Sequence, residues 1–348
     1  MTGGVDSPAG PRRRPTIHDV AALSGVSKST VSNVVRGSEG VADDTRARVV
    51  AAVKALGYRP SAAARNLVRR RTDVVGVVVG DLANAFNAEL VKRTEERAAV
   101  RGYTTLICNT DGRPAQEAAR IEALLEQRVD GIAMLEFSGD RGVMSQLLAE
   151  RVPVVMVSCW AEYADCVAVD EHAGMELAVG HLAALGHRDV GYVDDALMEP
   201  GTRHMRRDAF ERAGLRRGLA VGPRRRVTWD DAAGAQDGPR GLRALFSTDH
   251  RPTALVTAND FTALRTMDVL HTLGLDVPGQ VSVVGFDGIA IGALPRIALT
   301  TVAQPREELA ERGIGLLIDR MERGHDAPLR RHRLEPSLVR RSTTAALG

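Results

Sequence analysis

Residues 16–36 read TIHDVAALSGVSKSTVSNVVR, and this stretch decides how the amino-terminal part of the 348-residue chain is organised. Apolar residues recur at helical spacing from Ile17 to Leu23, the pair Ser24-Gly25 interrupts the pattern, and Val26 to Val34 resume it. Ser27 lies where a side chain caps the second helix. Two short helices joined by a turn of this kind form a helix-turn-helix.

The outward face of the second predicted helix is polar and carries no acidic residue. Its members are Lys28, Ser29, Ser32 and Asn33, whose side chains are able to reach base edges and phosphates. An αα-hairpin buried inside a helical domain is the alternative, and these polar positions argue against burial. The pattern therefore favours a recognition helix.

A third helix is expected after the loop at residues 37–40. Asp43 or Asp44 is placed to cap it, and Gly57 is placed to end it. Its inner face is predicted to consist of Val49, Val50, Val53 and Leu56.

The order DVA-x-x-(S/A)-GVS-x-x-TVS, followed by VRGSEGVADDTRARVVAAVKALGYRPSAAARNL, resembles the headpiece of the LacI/GalR repressors. The match runs without a gap from Thr16 to about Arg71, so it covers the third helix as well as the first two. In this hypothesis the second helix enters the major groove of DNA, as helix-turn-helix proteins do. Base contacts are predicted for Lys28, Ser29 and Asn33, phosphate contacts for Thr30, Ser32, Thr45 and Arg46, and further DNA contacts for Thr16, Ser27 and Tyr58.

The segment Ser61–Arg69 (SAAARNLVR) predicts a short basic helix that is marginal in water by itself. An ordinary linker helix packed on its neighbour is one interpretation. The resemblance implies the other, a hinge that folds on DNA, in which Leu67 is an apolar wedge in the minor groove and Arg65 lies beside it. Wedging kinks the duplex and is offset by extra contact.

The charge distribution agrees with a DNA-binding head on an acidic body. Between Pro11 and Arg71 there are 13 Lys/Arg against 4 Asp/Glu, whereas residues 72–348 carry 33 against 39. A basic head is attracted to phosphates and orients the protein on DNA. We expect residues 1–15 to be a disordered basic tail, and we expect a cytoplasmic protein, since no signal peptide or membrane-spanning run is apparent and three unpaired cysteines suit a reducing compartment.

From Val74 onward, continuous apolar runs alternate with helical segments. Such runs predict parallel strands covered on both faces, and the alternation restarts near Asp170, so two doubly wound lobes with a cleft are expected. The predicted fold class is α/β. An all-α headpiece (16–60) and a hinge (61–72) are expected to precede an effector-binding and dimerisation domain (73–343). The resemblance implies the type I periplasmic-binding-protein fold, with lobe 1 at about 73–169 and 301–328 and lobe 2 at about 170–300 and 329–343. The chain would cross between lobes near Asp170, Thr300 and Pro328.

Ligands of such sheets bind beyond the carboxyl ends of the strands. The first candidate is the loop 81–87, with Phe86 and Asn87; a capping loop with Phe86 in the core is the alternative. The resemblance favours Asp287 and Arg206 as ligand contacts and places Thr202 near them. Asp260 is either a helix cap or a ligand contact. Further effector-binding candidates are Trp229, which could stack on a ring, and Asp170.

Sequence signals for catalysis and for metal binding are poor. The chain contains no GxSxG, GxxxxGK(S/T), HExxH or GxGxxG motif, and His181 and His187 have no cysteine at metal-ligand spacing. We therefore predict a non-enzymatic transcription regulator without cofactor or metal, most simply a repressor. It would bind a pseudo-palindromic operator as a homodimer, under control of a small sugar-like or nucleoside-like effector. Control by a partner protein, a solute-binding protein and an enzyme with an appended headpiece are the alternatives.

Overall fold

A computed structural model describes residues 15–35, 38, 40–58, 71–229, 237–248 and 251–347. The chain divides at Thr72–Asp73 into two compact units, called here the headpiece and the body. No helix in these described ranges is long and apolar enough to cross a membrane.

The headpiece is a bundle of three helices: α1 (Ile17–Ser24), α2 (Lys28–Val35) and α3 (Asp43–Leu56). Gly25, with a φ of 65°, ends α1 in the left-handed conformation that glycine adopts without strain. The core consists of Val20, Val31 and Val49, which are fully buried, with Val34 and Ala52 packed beside them.

The predicted cap of α2 is confirmed, since the amide of Thr30 donates to the Ser27 hydroxyl at 3.1 Å. The predicted caps of α3 are wrong: Ala42 occupies the N-cap position, and Asp43 and Asp44 lie in the first turn, where they still complement the helix dipole. Val50 was expected on the inner face but is 55% exposed, because only one narrow stripe of α3 faces the other two helices.

The body contains two parallel-stranded lobes, as the strand pattern predicts. Its strands are β1 (Val74–Val79), β2 (Thr104–Asn109), β3 (Gly131–Met134), β4 (Val154–Val157), β5 (Asp165–Val169), β6 (Val190–Asp195), β7 (Arg226–Trp229), β8 (Ala254–Thr257), β9 (Ser282–Asp287), β10 (Thr300–Ala303), β11 (Arg331–Leu334) and β12 (Ser337–Val339). Its helices are α4 (Ala85–Val100), α5 (Pro114–Glu126), α6 (Arg141–Ala149), α7 (Glu171–Ala184), α8 (Pro200–Arg216), α9 (Asp237–Phe246), α10 (Asp260–Thr272) and α11 (Arg306–Arg323).

Each lobe is built on one six-stranded sheet. Lobe 1 has the order β11-β5-β4-β3-β1-β2, and lobe 2 has the order β12-β10-β9-β8-β6-β7. All pairings are parallel except β10 with β12, which are antiparallel at the edge of lobe 2. The apolar β-branched side chains of the central strands are buried on both faces under helices, which accounts for their continuous hydrophobic runs.

The chain passes between the two sheets after β5, between β10 and α11, and between β11 and β12. The last two crossings lie later in the chain than the predicted Thr300 and Pro328. The reason is that Thr300–Ala303 continues the sheet of lobe 2 beside β9, and that Arg331–Leu334 joins lobe 1 as an edge strand. A strand of sequence RHRL has no apolar run, so its pattern gives no strand signal.

Helix caps place several polar residues at the carboxyl ends of strands, on the side where the lobes face each other. Asn84, Asp140 and Asp170 each accept a hydrogen bond from a first-turn amide of α4, α6 and α7. Glu199 and Asn259 do the same for α8 and α10. These caps satisfy amides that a helix leaves unpaired, and they fix the directions in which the helices leave the cleft.

Candidate functional site

The headpiece presents the predicted contact face on α2. Lys28, Ser29 and Asn33 are exposed, while Thr30 and Ser32 are half-buried at the edge of the same face. No acidic residue lies in α2, so nothing on the helix itself repels a phosphate. This face combines a cation with hydrogen-bonding groups that fit base edges.

The remaining predicted DNA contacts of the headpiece lie outside α2, and three of them already have hydrogen-bond partners. The Ser27 hydroxyl is 2.7 Å from that of Ser29, and the Thr16 hydroxyl donates to Asp19 at 2.8 Å. Arg46 donates to the carbonyl oxygen of Ser38 at 2.8 Å, which links Ser38 to α3. Thr45 and Tyr58 are half-buried. The hinge candidates Arg65 and Leu67 lie outside the described residues.

The body contains a cavity of about 50 Å³ between its two lobes, room for roughly three or four water molecules. It lies at the carboxyl ends of the strands, where ligands of doubly wound sheets bind. Lobe 1 supplies Asn84, Phe86, Asn87, Leu135, Glu136, Ser158 and Cys159, lobe 2 supplies Met198, Glu199, Thr202, Arg206, Asn259 and Asp287, and the crossing segment supplies Gln304.

Arg206 is the buried cation of this cavity. Its guanidinium donates to both carboxylate oxygens of Glu171, at 2.6 and 3.2 Å, and to the carbonyl oxygen of Ala258 at 2.7 Å. It also lies 3.8 Å above the ring of Phe286. Burial by itself lowers the pKa of Arg206, but Glu171 and Asp287 outweigh burial and raise it, so the side chain is charged and rigidly oriented.

Asp287 ends β9 in an unusual backbone conformation, with a φ of 124°. Its carboxylate accepts from Gln304 at 2.7 Å and lies 3.5 Å from Arg206. Burial raises the pKa of Asp287, the guanidinium of Arg206 opposes this rise, and the carboxylate of Asp260 adds to it. A strained backbone at a cavity-lining carboxylate is typical of binding sites.

Glu136 follows β3 and reaches the cavity from lobe 1. It is half-buried, and Asn87 donates to its carboxylate at 2.9 Å. Burial raises the pKa of Glu136 to about 7. The hydrogen bonds from Asn87 and the Gly80 amide oppose this rise, and the negative charges of Glu199 and Asp81 add to it. The side chain touches the Gly80 backbone so closely that a β-carbon there would collide with it, which explains the glycine.

Five of the predicted effector contacts therefore meet in one cavity: Phe86, Asn87, Thr202, Arg206 and Asp287. Phe86 and Asn87 lie in the first turn of α4, not in a loop as predicted, because Asn84 starts the helix three residues earlier than Asn87. Whether these residues bind an effector stays a prediction.

The other three predicted contacts do not line the cavity. Asp170 caps α7 and borders a neighbouring space with Arg333, whose guanidinium is 3.9 Å from it. Trp229 is buried in the core of lobe 2, with the guanidinium of Arg265 4.0 Å above its ring. Asp260 is not the cap, which is Asn259; it lies beneath the cavity and accepts from the Ile289 amide at 2.8 Å.

Outside the loop 81–87, sequence reasoning missed five polar residues of the cavity: Glu136, Ser158, Glu199, Asn259 and Gln304. Each follows a strand of the body, so the rule that ligands sit beyond strand ends would have included them. No group of three or more His, Cys, Asp or Glu side chains suited to a metal ion occurs within the described ranges.

Comparisons with known proteins assign both units. A family model described as "Bacterial regulatory proteins, lacI family" matches residues 16–61, and one described as "Periplasmic binding protein-like domain" matches residues 179–344. The chain is similar to the Ribose operon repressor of Escherichia coli (strain K12), at 34% identity over 88% of this chain and 93% of that protein. It is 30% identical to the HTH-type transcriptional repressor PurR of Haemophilus influenzae (strain PittEE), over 95% of this chain and 99% of that one.

Among solved structures, the lac repressor dimer bound to operator and the anti-inducer ONPF matches with a TM-score of 0.83. The two sequences are 27% identical, and the match covers 96% of this chain and 100% of that chain. The similarity therefore extends over the headpiece and the body alike.

Proposed function

Because the chain belongs to the LacI family of bacterial regulatory proteins, we propose that it represses transcription as a homodimer on a pseudo-palindromic operator, under the control of a small molecule in the interlobe cavity. Its relatives carry the names ribose operon repressor and PurR, and its structural neighbour is a dimer on operator DNA. As an operator-binding protein it acts in the cytoplasm, and the cavity binds its occupant without converting it.

The exposed face of α2 carries the DNA-binding part of the proposal. Lys28, Ser29 and Asn33 project from it, and each headpiece of the dimer places this face in the major groove of one half-site. Lysine donates to guanine O6 or N7, and asparagine pairs with adenine. Thr16, Ser27, Thr30, Ser32, Thr45, Arg46 and Tyr58 would contact the backbone, and Arg65 and Leu67 would act in the hinge.

The control part of the proposal rests on how the cavity is joined to the contacts between the lobes. Two residues after Asp287, the side chain of Ile289 packs into the hydrophobic core of lobe 1. The next amide, that of Ala290, donates to Glu89 of α4 at 3.0 Å. Arg306 donates to Glu89 at 3.1 Å and to the carbonyl oxygen of Asp287 at 2.8 Å.

A ligand on Asp287 thus acts on the same short segment that holds the lobes together. The cavity is lined by residues of both lobes, so an occupant contacts both and affects how closely they approach each other. An effector that binds the open and closed forms with different affinity shifts their populations. Since β1 of lobe 1 follows the hinge directly, this shift changes the geometry from which the headpiece reaches DNA.

Selection of binding sites from a random DNA pool with the purified full-length protein tests the proposal. We expect enrichment of one pseudo-palindromic site with half-sites about one helical turn apart. In a Lys28→Ala variant the preference at one base pair should relax, at a cost of about 1–3 kcal/mol on the selected site. The matched Lys54→Ala variant, exposed on α3, should keep the site. No enriched site with the unmodified protein would contradict the proposal.

A further inference from the structure

The interlobe cavity carries a surplus of negative charge. Three carboxylates, those of Glu136, Glu199 and Asp287, share it with one guanidinium among the described lining residues. That guanidinium, of Arg206, already donates two hydrogen bonds to the carboxylate of Glu171. The positive charge of the site is therefore shared between Glu171, which does not line the cavity, and Asp287, which does.

Two of these carboxylates have no cationic partner in the described part of the chain. Glu136 accepts hydrogen bonds only from the neutral amide of Asn87 and the Gly80 backbone. Glu199 accepts only from first-turn amides of its own helix, at 2.8 and 2.6 Å. They reach the cavity from opposite lobes, and the charge of Glu199 raises the pKa of Glu136. Both carboxylates are half-buried and repel each other, so a cation between them would offset that repulsion and stabilise the closed body.

A second, independent observation points to a ligand with hydrogen-bond donors. Gln304 lines the cavity and is only 5% exposed. Its Nε2 donates to Asp287 at 2.7 Å, which fixes the orientation of the amide. Its Oε1 is buried and has no hydrogen-bond partner. Such an acceptor is satisfied in most native structures, so this oxygen lacks a donor that a bound molecule would supply.

From these two observations we propose that the effector is a small polyhydroxylated amine, of the amino-sugar class. Its ammonium group binds between Glu136 and Glu199, and its hydroxyl groups donate to Gln304 and Asp287. This inference rests on the proposed function, because it specifies the effector of the same cavity. A neutral sugar offers the hydroxyl donors but leaves both glutamates without a cation.

Binding of an ammonium group has a consequence that binding of a neutral sugar lacks. In the unliganded body, burial, Glu199 and Asp81 hold the pKa of Glu136 near 7, so at pH 7 this carboxyl is about half protonated. A cation beside it lowers that pKa and drives the proton off. Amine binding at pH 7 should therefore release up to about half a proton from Glu136, less the fraction of a proton that the sugar amine takes up on binding as its ammonium form.

Isothermal titration calorimetry of the full-length protein at pH 7 tests the inference. The probes are D-glucosamine, D-galactosamine and D-mannosamine, each matched with the neutral sugar that has a hydroxyl in place of the amine. Repeating each titration in phosphate and in Tris buffer gives the number of protons released, because the two buffers differ in ionisation heat. We expect at least one amine to bind ten or more times tighter than its neutral partner, with proton release.

Two variants locate the effect. Glu136→Gln should abolish both the preference for the amine and the proton release. Glu95→Gln is the control, since Glu95 is an exposed glutamate of lobe 1 that lines neither of the two spaces bordered by Glu136. The control variant should retain both the preference for the amine and the proton release. The number of protons released by the unmodified protein is measured directly and requires no variant.

The inference is overturned if a neutral sugar binds as tightly as its amine, if no amine binds, if the unmodified protein releases no more protons than Glu136→Gln, or if Glu136→Gln retains the preference for the amine. None of these outcomes affects operator selection, which is measured without ligand. If the protein selects an operator but prefers a neutral sugar, the proposed function is kept and the amino-sugar effector is rejected. Loss of operator selection would remove the function itself.

Discussion

Replacing Glu136 by glutamine should stabilise the unliganded body at high pH more than at low pH. In the folded chain its pKa is raised from 4.5 to about 7, mainly by burial. The folded state therefore holds a proton that the unfolded state has already lost. This contribution to stability is fully present below pH 4.5 and is lost as the pH rises through 7.

The size of the effect follows from the shift. A difference of about 2.5 pKa units corresponds to roughly 3.4 kcal/mol. About 2.5 kcal/mol of this is lost between pH 5 and pH 8. Glutamine keeps an oxygen that accepts from Asn87, but its NH₂ group replaces the oxygen that accepts from the Gly80 N–H. The loss of that hydrogen bond costs about 1 kcal/mol at every pH. The variant should thus be close to the parent in stability at pH 5 and clearly more stable at pH 8.

Urea unfolding followed by tryptophan fluorescence measures this difference. Both tryptophans, Trp160 and Trp229, lie in the body, so the headpiece is silent in the signal. The quantity to compare is the free energy of unfolding of Glu136→Gln minus that of the parent, at pH 5 and at pH 8. An exposed control, Glu95→Gln, should show no change with pH. A change below about 0.5 kcal/mol for Glu136→Gln would refute the reasoning, because the carboxyl would then not be buried without a cation.

Three further predictions concern the hinge, the link between the lobes and the buried cation. Leu67→Ala should bind the selected operator much more weakly and random DNA almost as before; an equal loss on both in competition titrations would exclude a wedge. Glu89→Gln weakens the link from α4 to the segment after Asp287, so ligand affinity in calorimetry should fall by about twofold to fivefold, as for a partly exposed ion pair. The exposed Glu95→Gln should leave that affinity unchanged, and equal behaviour of the two variants would contradict the link. Arg206→Ala leaves Glu171 buried without its cation and should cost about 3–5 kcal/mol in urea unfolding at pH 8, with a smaller loss at pH 5 where the carboxyl takes up a proton. A loss below 1 kcal/mol would show that the carboxylate has another partner.

Features that depend on local periodicity could be predicted from the sequence. The three helices of the headpiece, the Ser27 cap and the polar face at Lys28 and Asn33 all follow from spacing within one short stretch. Val50 was misplaced, because the spacing of four apolar residues does not say how wide a stripe two other short helices cover.

The site in the body was predictable only in part, because it is made by the meeting of two sheets. Asp287 was found from its position at a strand end and from the family resemblance, whereas Arg206 was found from the resemblance alone. Trp229 has the same kind of position, but its side chain points into the core of lobe 2. Glu136 and Gln304 were missed, since the sequence does not show which strand-end side chains face the other lobe, nor where the chain crosses between lobes.

A ligand in the interlobe cavity should change the affinity of the headpiece for operator DNA, and operator DNA should change the affinity of the cavity for the ligand. The most direct test is to measure operator affinity with and without each member of the amine and sugar panel, and ligand affinity with and without saturating operator. Linkage requires the ligand to change operator affinity by the same factor as the operator changes ligand affinity. We predict a factor of about fivefold or more for the effector. A ligand that binds the cavity but leaves operator affinity unchanged would contradict the account.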